Sequence, residues 1–158
     1  MEVQAAESAV IVRLRTKRAV RTGTGGRGLL DLANKEVEQV RVLIVDDSKA
    51  MRMIVMRSLR MAGLDDLSVE QAANGAEALA AIRTSTPDVV LSDWNMPEMT
   101  GMELLEALRA EGSEVPFGFI TSEASAEMRE LADQGAAAFF ITKPFTPDVL
   151  RDALAGVS

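Results

Sequence analysis

At several places in this sequence a short apolar run is followed directly by ionisable or hydroxyl side chains, as when a buried strand ends at a polar edge. Those side chains belong to Asp46, Asp47, Asp93, Thr121, Ser122 and Lys143. Carboxylate oxygens are ligands that suit Mg²⁺. An Asp carboxylate is also a known covalent acceptor of phosphoryl groups. These residue types therefore indicate metal-assisted phosphoryl chemistry.

The composition restricts the chemistry to a few kinds of reactive side chain. The 158 residues include no His, no Cys and no Tyr. Without Cys the chain has no disulfide, thiol nucleophile or thiolate zinc site. Without His it has no imidazole base, no Ser-His-Asp triad and no phosphate-carrying imidazole of its own. Carboxylates, hydroxyls, amides and Lys remain.

The charge and hydropathy pattern argues against two classes of partner. The formal net charge is −7, which repels nucleic acid and anionic membrane surfaces. No apolar run approaches the ~18 residues that a membrane span needs, and no secretory signal is visible. We therefore expect a cytoplasmic protein with no membrane insertion and no specific binding to DNA.

An acid cluster at one edge of a sheet favours a functional site over a set of solvated loop residues. Any single Asp at a strand end is usually just a polar loop residue. Two carboxylates ~4 Å apart, however, repel by about 4 kcal/mol at an effective dielectric constant near 20. A divalent cation removes this repulsion. An ionised Asp could then attack phosphorus without a general base, while Lys143 and a hydroxyl contact the phosphoryl oxygens.

The elements that must position these residues alternate regularly after residue 40. Apolar runs predict strands at residues 42–45, 67–72, 89–91, 116–121 and 137–142. Residues spaced at i, i+3 and i+4 predict a helix after each strand; Ser48 caps the first helix and Gly63 ends it. Five strand–helix units predict an α/β fold, a doubly wound five-stranded parallel sheet with five helices. Ligands of such sheets bind at the carboxyl ends of the strands.

The first 39 residues differ from the rest. Residues 1–39 carry a net charge of +2 and residues 40–158 a net charge of −9. We interpret residues 1–39 as an N-terminal extension, with a flexible linker at 22–28 and a short helix at 29–40. Gly23, Gly25 and Gly28 match the dinucleotide pattern G-x-G-x-x-G. The residues before them make a poor buried strand, so the linker is favoured over a phosphate-binding loop.

Residues 40–158 closely resemble the receiver domain of bacterial two-component response regulators. The resemblance is carried by the acid pair Asp46-Asp47, by Asp93, by Thr121 and by the run Lys143-Pro144-Phe145, in this order on successive strands. The stretch 92–97, SDWNMP, is most similar to the single-domain chemotaxis members of the family. The resemblance implies a flavodoxin-like sheet with strand order 2-1-3-4-5.

The resemblance also implies roles for individual residues. Asp93 becomes the phosphoacceptor. Mg²⁺ becomes the cofactor, and its implied ligands are Asp46 (through water), Asp47, Asp93 and the backbone carbonyl of Asn95. Lys143 becomes the phosphoryl-binding cation, and the Lys143–Pro144 peptide bond is expected to be cis.

The resemblance implies that two further pairs of residues control the signal output and the lifetime of the phosphoryl group. Thr121 contacts the phosphoryl group and forms the switch with Phe140, which stands where the chemotaxis members have Tyr. Asn95 and Glu123 tune dephosphorylation. Two alternatives stay open: Phe140 as an ordinary core aromatic of a strand, and Glu123 as an exposed acid at a helix start.

The predicted function is a single-domain response regulator that takes a phosphoryl group from a partner's phosphohistidine. The implied partners are a sensor histidine kinase of chemotaxis, the flagellar motor switch protein and a phosphatase. The alternative is a phosphate shuttle or sink in a phosphorelay. A hydrolytic phosphatase is disfavoured because Asn95 stands where such an enzyme needs a second acid. A receiver without chemistry is disfavoured because no site residue is lost. A transcription factor is disfavoured because the N-terminal extension is too short for a DNA-reading module.

Overall fold

A computed structural model of the chain describes residues 39–157. It contains five strands and five helices in strict alternation. The strands are β1 Val40–Val45, β2 Leu67–Ala72, β3 Val89–Ser92, β4 Phe117–Thr121 and β5 Phe139–Thr142. The helices are α1 Lys49–Met61, α2 Gly75–Thr84, α3 Gly101–Ala110, α4 Ala126–Gln134 and α5 Pro147–Ala155. Among residues 39–157, none of these helices has the length and apolar character that a membrane crossing requires.

All strand pairs are parallel, and the sheet order is β2-β1-β3-β4-β5. The predicted fold class and strand order are therefore confirmed. This order places β1, β3 and β4 in the interior, where both faces are covered, and it makes β2 and β5 the edges. The carboxyl ends of β1 and β3 consequently lie side by side, which brings together the two parts of the acid cluster.

The core consists of two apolar layers, one on each face of the sheet. Val42 and Ile44 of β1 belong to the layer that packs against α1 and α5. Leu43 and Val45 belong to the layer on the other face, which includes residues of α2, α3 and α4. Successive side chains of a strand point to opposite faces, so one continuous apolar run supplies both layers. This is the pattern of a parallel strand that is buried on both sides.

Each helix begins with a polar side chain that caps it. The N-cap side chain accepts a hydrogen bond from the backbone N–H three residues later, which satisfies a donor that the helix leaves free. The five N-cap residues are Ser48, Asn74, Thr100, Ser125 and Thr146. The predicted cap at Ser48 is confirmed, and Gly63 follows the end of α1 with a positive φ of 81°.

Two predicted strand boundaries, the starts of β1 and β5, were wrong. The strand predicted at residues 137–142 begins only at Phe139, because the N–H of Ala137 donates to the carbonyl of Ala132 and closes α4. The first strand begins at Val40, earlier than predicted, because Val40 pairs with Leu67. Val40 was also the last residue of the helix predicted at 29–40. The rest of that helix, the linker and the glycine pattern lie outside the described residues.

Ala136 offers a direct test of the turn between α4 and β5. This exposed residue has a φ of 57°, a left-handed conformation that costs a non-glycine residue about 1–2 kcal/mol. Ala136→Gly removes that strain, and part of the gain is offset by the larger backbone entropy of an unfolded Gly. We expect the free energy of unfolding to rise by about 0.5–1 kcal/mol, measured by urea denaturation. Ala138→Gly, at an exposed position without a positive φ, should lower it; a destabilised Ala136→Gly variant would contradict this account.

Candidate functional site

The three acids predicted from the sequence meet at the carboxyl ends of β1 and β3. One carboxylate oxygen from each of Asp46, Asp47 and Asp93 lies within 4.8 Å of the others. The N–H of Asp93 donates to the carbonyl of Val45 at 2.8 Å, which ties the end of β3 to the end of β1. Asp46 is buried, Asp93 is half-buried and Asp47 is exposed. The cluster therefore opens to solvent on the side of Asp47.

Lys143 supplies the counter-charge for this cluster. Its Nζ donates to Asp46 Oδ2 at 2.9 Å and to Asp93 Oδ2 at 3.3 Å. The Lys143 side chain is only 13% exposed, so water screens both ion pairs weakly. Lys143 follows β5 directly, and its N–H donates to the carbonyl of Thr121 at the end of β4. The Lys143–Pro144 peptide bond is cis, as expected.

Asp46 is held by contacts from several parts of the chain. Its Oδ1 accepts from the N–H of Ser48 at 2.9 Å. The guanidinium of Arg52 donates to the Asp46 carbonyl at 2.6 Å and to Gln71 Oε1 at 3.0 Å. Sequence reasoning missed Arg52. The available signal was its place one helical turn after the cap Ser48, on the side of α1 that faces the strand ends.

The loop after β3 orients the Asp93 carboxylate. The N–H of Trp94 donates to Asp93 Oδ1 at 2.7 Å, while Asp93 Oδ2 faces Lys143. The N–H of Gly101 donates to the Trp94 carbonyl at 2.8 Å. A Cβ on Gly101 would lie 2.0 Å from the carbonyl oxygen of Asp93. Only glycine allows α3 to start so close to this loop.

Thr121 lies at the same edge of the sheet, at the end of β4. It is fully buried, and its hydroxyl accepts a long hydrogen bond of 3.5 Å from the N–H of Glu123. Asn95 and Glu123 are exposed on the two loops that flank the cluster, and Ser122 is exposed beside Lys143. The predicted site residues thus follow β1, β3, β4 and β5.

Phe140 is half-buried in a group of aromatic rings next to the acid cluster. Its ring centroid lies 5.9 Å from that of Phe119 and 6.2 Å from that of Trp94. These separations are typical of favourable aromatic pairs. Phe140 therefore packs against the core, and it also contacts Trp94, the residue that follows Asp93.

The donor set at this edge fits a hard divalent cation. It consists of carboxylate oxygens, and within residues 39–157 the Lys143 ammonium is the only cation that forms an ion pair with the carboxylates of Asp46 and Asp93. Three carboxylates against one ammonium leave an excess of negative charge. Oxygen-only sites of this kind suit Mg²⁺ rather than softer metals. When bound, Mg²⁺ would neutralise carboxylate and phosphoryl charge.

Residues 42–155 match the family described as the response regulator receiver domain. The chain belongs to this family. The paired acids follow β1, the single acid follows β3, the hydroxyl of Thr121 ends β4 and the Lys follows β5. A receiver of this type is a signalling switch rather than an enzyme in the usual sense.

The receiver domain is similar to two chemotaxis proteins and to FixJ-N. A chemotaxis protein CheY homologue of Campylobacter jejuni subsp. jejuni is 37% identical over 121 residues, which are 75% of this chain and 92% of that protein. The structure of the Vibrio cholerae chemotaxis protein CheY4 superposes with a TM-score of 0.68 at 37% identity and covers 77% of this chain and 100% of that one. The structure of FixJ-N superposes with a TM-score of 0.65 at 29% identity, over 76% of this chain and 95% of that one.

Proposed function

We propose that this receiver accepts a phosphoryl group on Asp93 from a partner's phosphohistidine, in the cytoplasm, and that the modification controls chemotaxis. The observation that carries this proposal is the juxtaposition of Asp93 with two further acids and with Lys143. The chain has no His of its own, so the imidazole of the transfer must come from another protein. A sensor histidine kinase of the chemotaxis type is the proposed donor.

The transfer requires little more than position and charge. Asp93 presents one carboxylate oxygen as the nucleophile; a P–O bond forms as the P–N bond of the donor breaks. The electron pair of the broken bond returns to the imidazole nitrogen of the donor. Asp93 is held by the Trp94 N–H and by Lys143 together, which limits its rotation before attack. The Lys143 ammonium is within reach of a phosphoryl oxygen on this carboxylate.

The remaining proposed roles are those that the resemblance to the receiver family implies. Asp46, Asp47, Asp93 and the carbonyl of Asn95 would hold Mg²⁺, with Asp46 acting through water. The Thr121 hydroxyl would turn toward the phosphoryl group, and Phe140 would follow into the space behind it. Asn95 and Glu123, both exposed, would influence the approach of water or of a phosphatase.

The proposed output is a change in the face formed by α4, β5 and α5, which the flagellar motor switch protein would recognise. The support is the similarity to chemotaxis proteins of Campylobacter and Vibrio. A phosphate shuttle or sink remains the competing outcome. Added phosphoryl charge acts on such a face by shifting an existing equilibrium between two arrangements.

The test is phosphorylation of the full chain by acetyl phosphate, a small phosphoryl donor, with and without Mg²⁺. We expect a mass gain of one phosphoryl group with Mg²⁺ and none after chelation. The labelled protein is then offered a peptide of a motor switch protein and a separate histidine phosphotransfer domain. Tighter binding of the peptide supports motor control, and transfer to the domain supports the shuttle. Absence of any Mg²⁺-dependent label contradicts the proposed function.

A further inference from the structure

The ring of Phe140 is covered from outside the core by one cation. The guanidinium carbon of Arg129, on α4, lies 4.8 Å from the centroid of this ring. That separation lies within the range of a cation–π interaction. Trp94 and Phe119 contact the same ring from the core. Phe140 therefore lies between an aromatic group, formed by buried Phe119 and half-buried Trp94, and an exposed positive charge.

Arg129 lies on an acidic helix, yet its observed contact is with the ring. The acids of α4 are Glu127, Glu130 and Asp133. Within residues 39–157, Arg129 forms no ion pair with any of them, whereas Arg41, Arg83 and Arg151 do pair with acids. The position of the guanidinium over Phe140 is thus not a by-product of a salt bridge.

The covered ring is connected to the phosphoacceptor by direct contacts. Phe140 contacts Trp94, and the Trp94 N–H donates to Asp93 Oδ1. Phe140 also pairs across the sheet with Phe119, two residues before Thr121 on β4. A change at Asp93 is therefore two contacts away from the ring that Arg129 covers, and Thr121 lies on the strand that pairs with the strand of Phe140.

We propose that Arg129 is a positioning residue that holds the Phe140 ring in its observed place and so sets how readily the switch responds. This inference rests on the proposed function, in which Phe140 moves when Asp93 is occupied. Phe lacks the hydroxyl with which a Tyr could anchor itself by a hydrogen bond. Its ring face is still available to a cation, and Arg stacks on aromatic faces better than Lys does.

Thermodynamic linkage gives the direction in which the Arg129 contact changes the affinity for an acceptor ligand. A ring that moves toward Thr121 leaves the guanidinium, so the cation–π contact stabilises the resting arrangement alone. Removing that contact makes the other arrangement less costly, and an acceptor ligand that selects it then binds more tightly. An exposed cation–π contact corresponds to about a two- to fivefold change in such an equilibrium.

The experiment is a titration of Mg²⁺-loaded protein with beryllofluoride, a mimic of the phosphoryl group, followed by the emission of Trp94. Trp94 is the only Trp in the chain. The titration midpoint, rather than the amplitude, is compared between variants. We expect Arg129→Met to bind about two- to fivefold more tightly than the wild type and Arg129→Lys, which keeps the charge, to lie between the two. Arg57→Met removes an exposed charge from α1, on the other face of the sheet, and should leave the midpoint unchanged.

A double-mutant cycle with Phe140→Leu separates this role from a general effect of charge. In the Phe140→Leu background, Arg129→Met should no longer shift the midpoint. An Arg129→Met midpoint equal to that of the wild type, or a shift that persists without the Phe140 ring, overturns the inference while the proposed function stands. A wild-type protein that gives neither a beryllofluoride response nor a Mg²⁺-dependent phosphoryl label overturns both.

Discussion

Asp93→Asn is expected to reduce phosphoryl labelling by acetyl phosphate to background. Asn has nearly the same shape as Asp, and its side-chain oxygen can still accept from the Trp94 N–H that holds Asp93 Oδ1 at 2.7 Å. It lacks the ionised oxygen that attacks phosphorus in the proposed transfer. The measurement is the intact mass of the protein after incubation with acetyl phosphate and Mg²⁺.

The same variant should remain folded, which makes the loss of label informative. Substitution of Asp93 removes one attraction, to Lys143, and two repulsions, from Asp46 and Asp47. The free energy of unfolding should therefore be unchanged or higher. Asp133→Asn, an exposed acid on α4, is the matched control and should label as the wild type does. Wild-type labelling of Asp93→Asn would rule out Asp93 as the acceptor.

Lys143→Met is expected to produce the second large effect, on both transfer and stability. Met preserves much of the length of the side chain and removes its charge. Loss of one preorganised electrostatic contact to the reacting group typically slows a reaction by about 10²–10³-fold. The labelling rate should fall by this amount. The rate is measured with acetyl phosphate at saturating Mg²⁺, so that weaker metal binding does not add to the loss.

Stability provides an independent readout of the Lys143 substitution. Asp46 is only 4% exposed, and removal of the cation would leave its carboxylate buried without its ion-pair partner. Breaking a buried pair in this way costs about 3 kcal/mol. Urea denaturation should show this loss in the absence of Mg²⁺, and Asp46→Asn combined with Lys143→Met should restore most of it. If Lys143→Met labels at the wild-type rate, Lys143 does not contact the phosphoryl group.

Mg²⁺ should restore the stability of Lys143→Met but not its labelling rate. A divalent cation among Asp46, Asp47 and Asp93 offsets the same excess of negative charge that Lys143 offsets. The metal should therefore return much of the lost stability of Lys143→Met. It does not supply the N–H donor that Lys143 would give to a phosphoryl oxygen in the proposed transfer, so the labelling rate should stay low.

Several features of the structure had clear signals in the sequence. The strands β1, β3 and β4 are buried on both faces and therefore appear as continuous apolar runs. The residue after each run marks the carboxyl edge of the sheet, and this is how the acid cluster could be predicted. The cap at Ser48 was predictable because N-capping depends on a few neighbouring residues.

Other features had no such signal because they depend on residues that are distant in the chain. The ring of Phe139 lies over Gly118, where a Cβ would come within 2.1 Å of ring atoms. Neither residue alone indicates this pairing. Arg109 donates to the carbonyls of Val115 and Gly135, which belong to different loops, and burial lowers the pKa of its guanidinium from the usual value. From its residue type and its position in the predicted helix, Arg109 would have been taken for an ordinary exposed residue.

What the sequence determined by itself is which reactive groups are available and where they lie along the chain. Residue types limit which atoms can bind metal or accept phosphorus, and apolar periodicity, a local property, shows where each strand ends. Tertiary structure alone decided which of those ends become neighbours and which cations meet them. The order β2-β1-β3-β4-β5 placed Asp46 beside Asp93 and put Lys143 within hydrogen-bond distance of both. The same fold brought Arg129 over the ring of Phe140. These contacts depend on packing between elements far apart in sequence, so they follow from the fold as a whole.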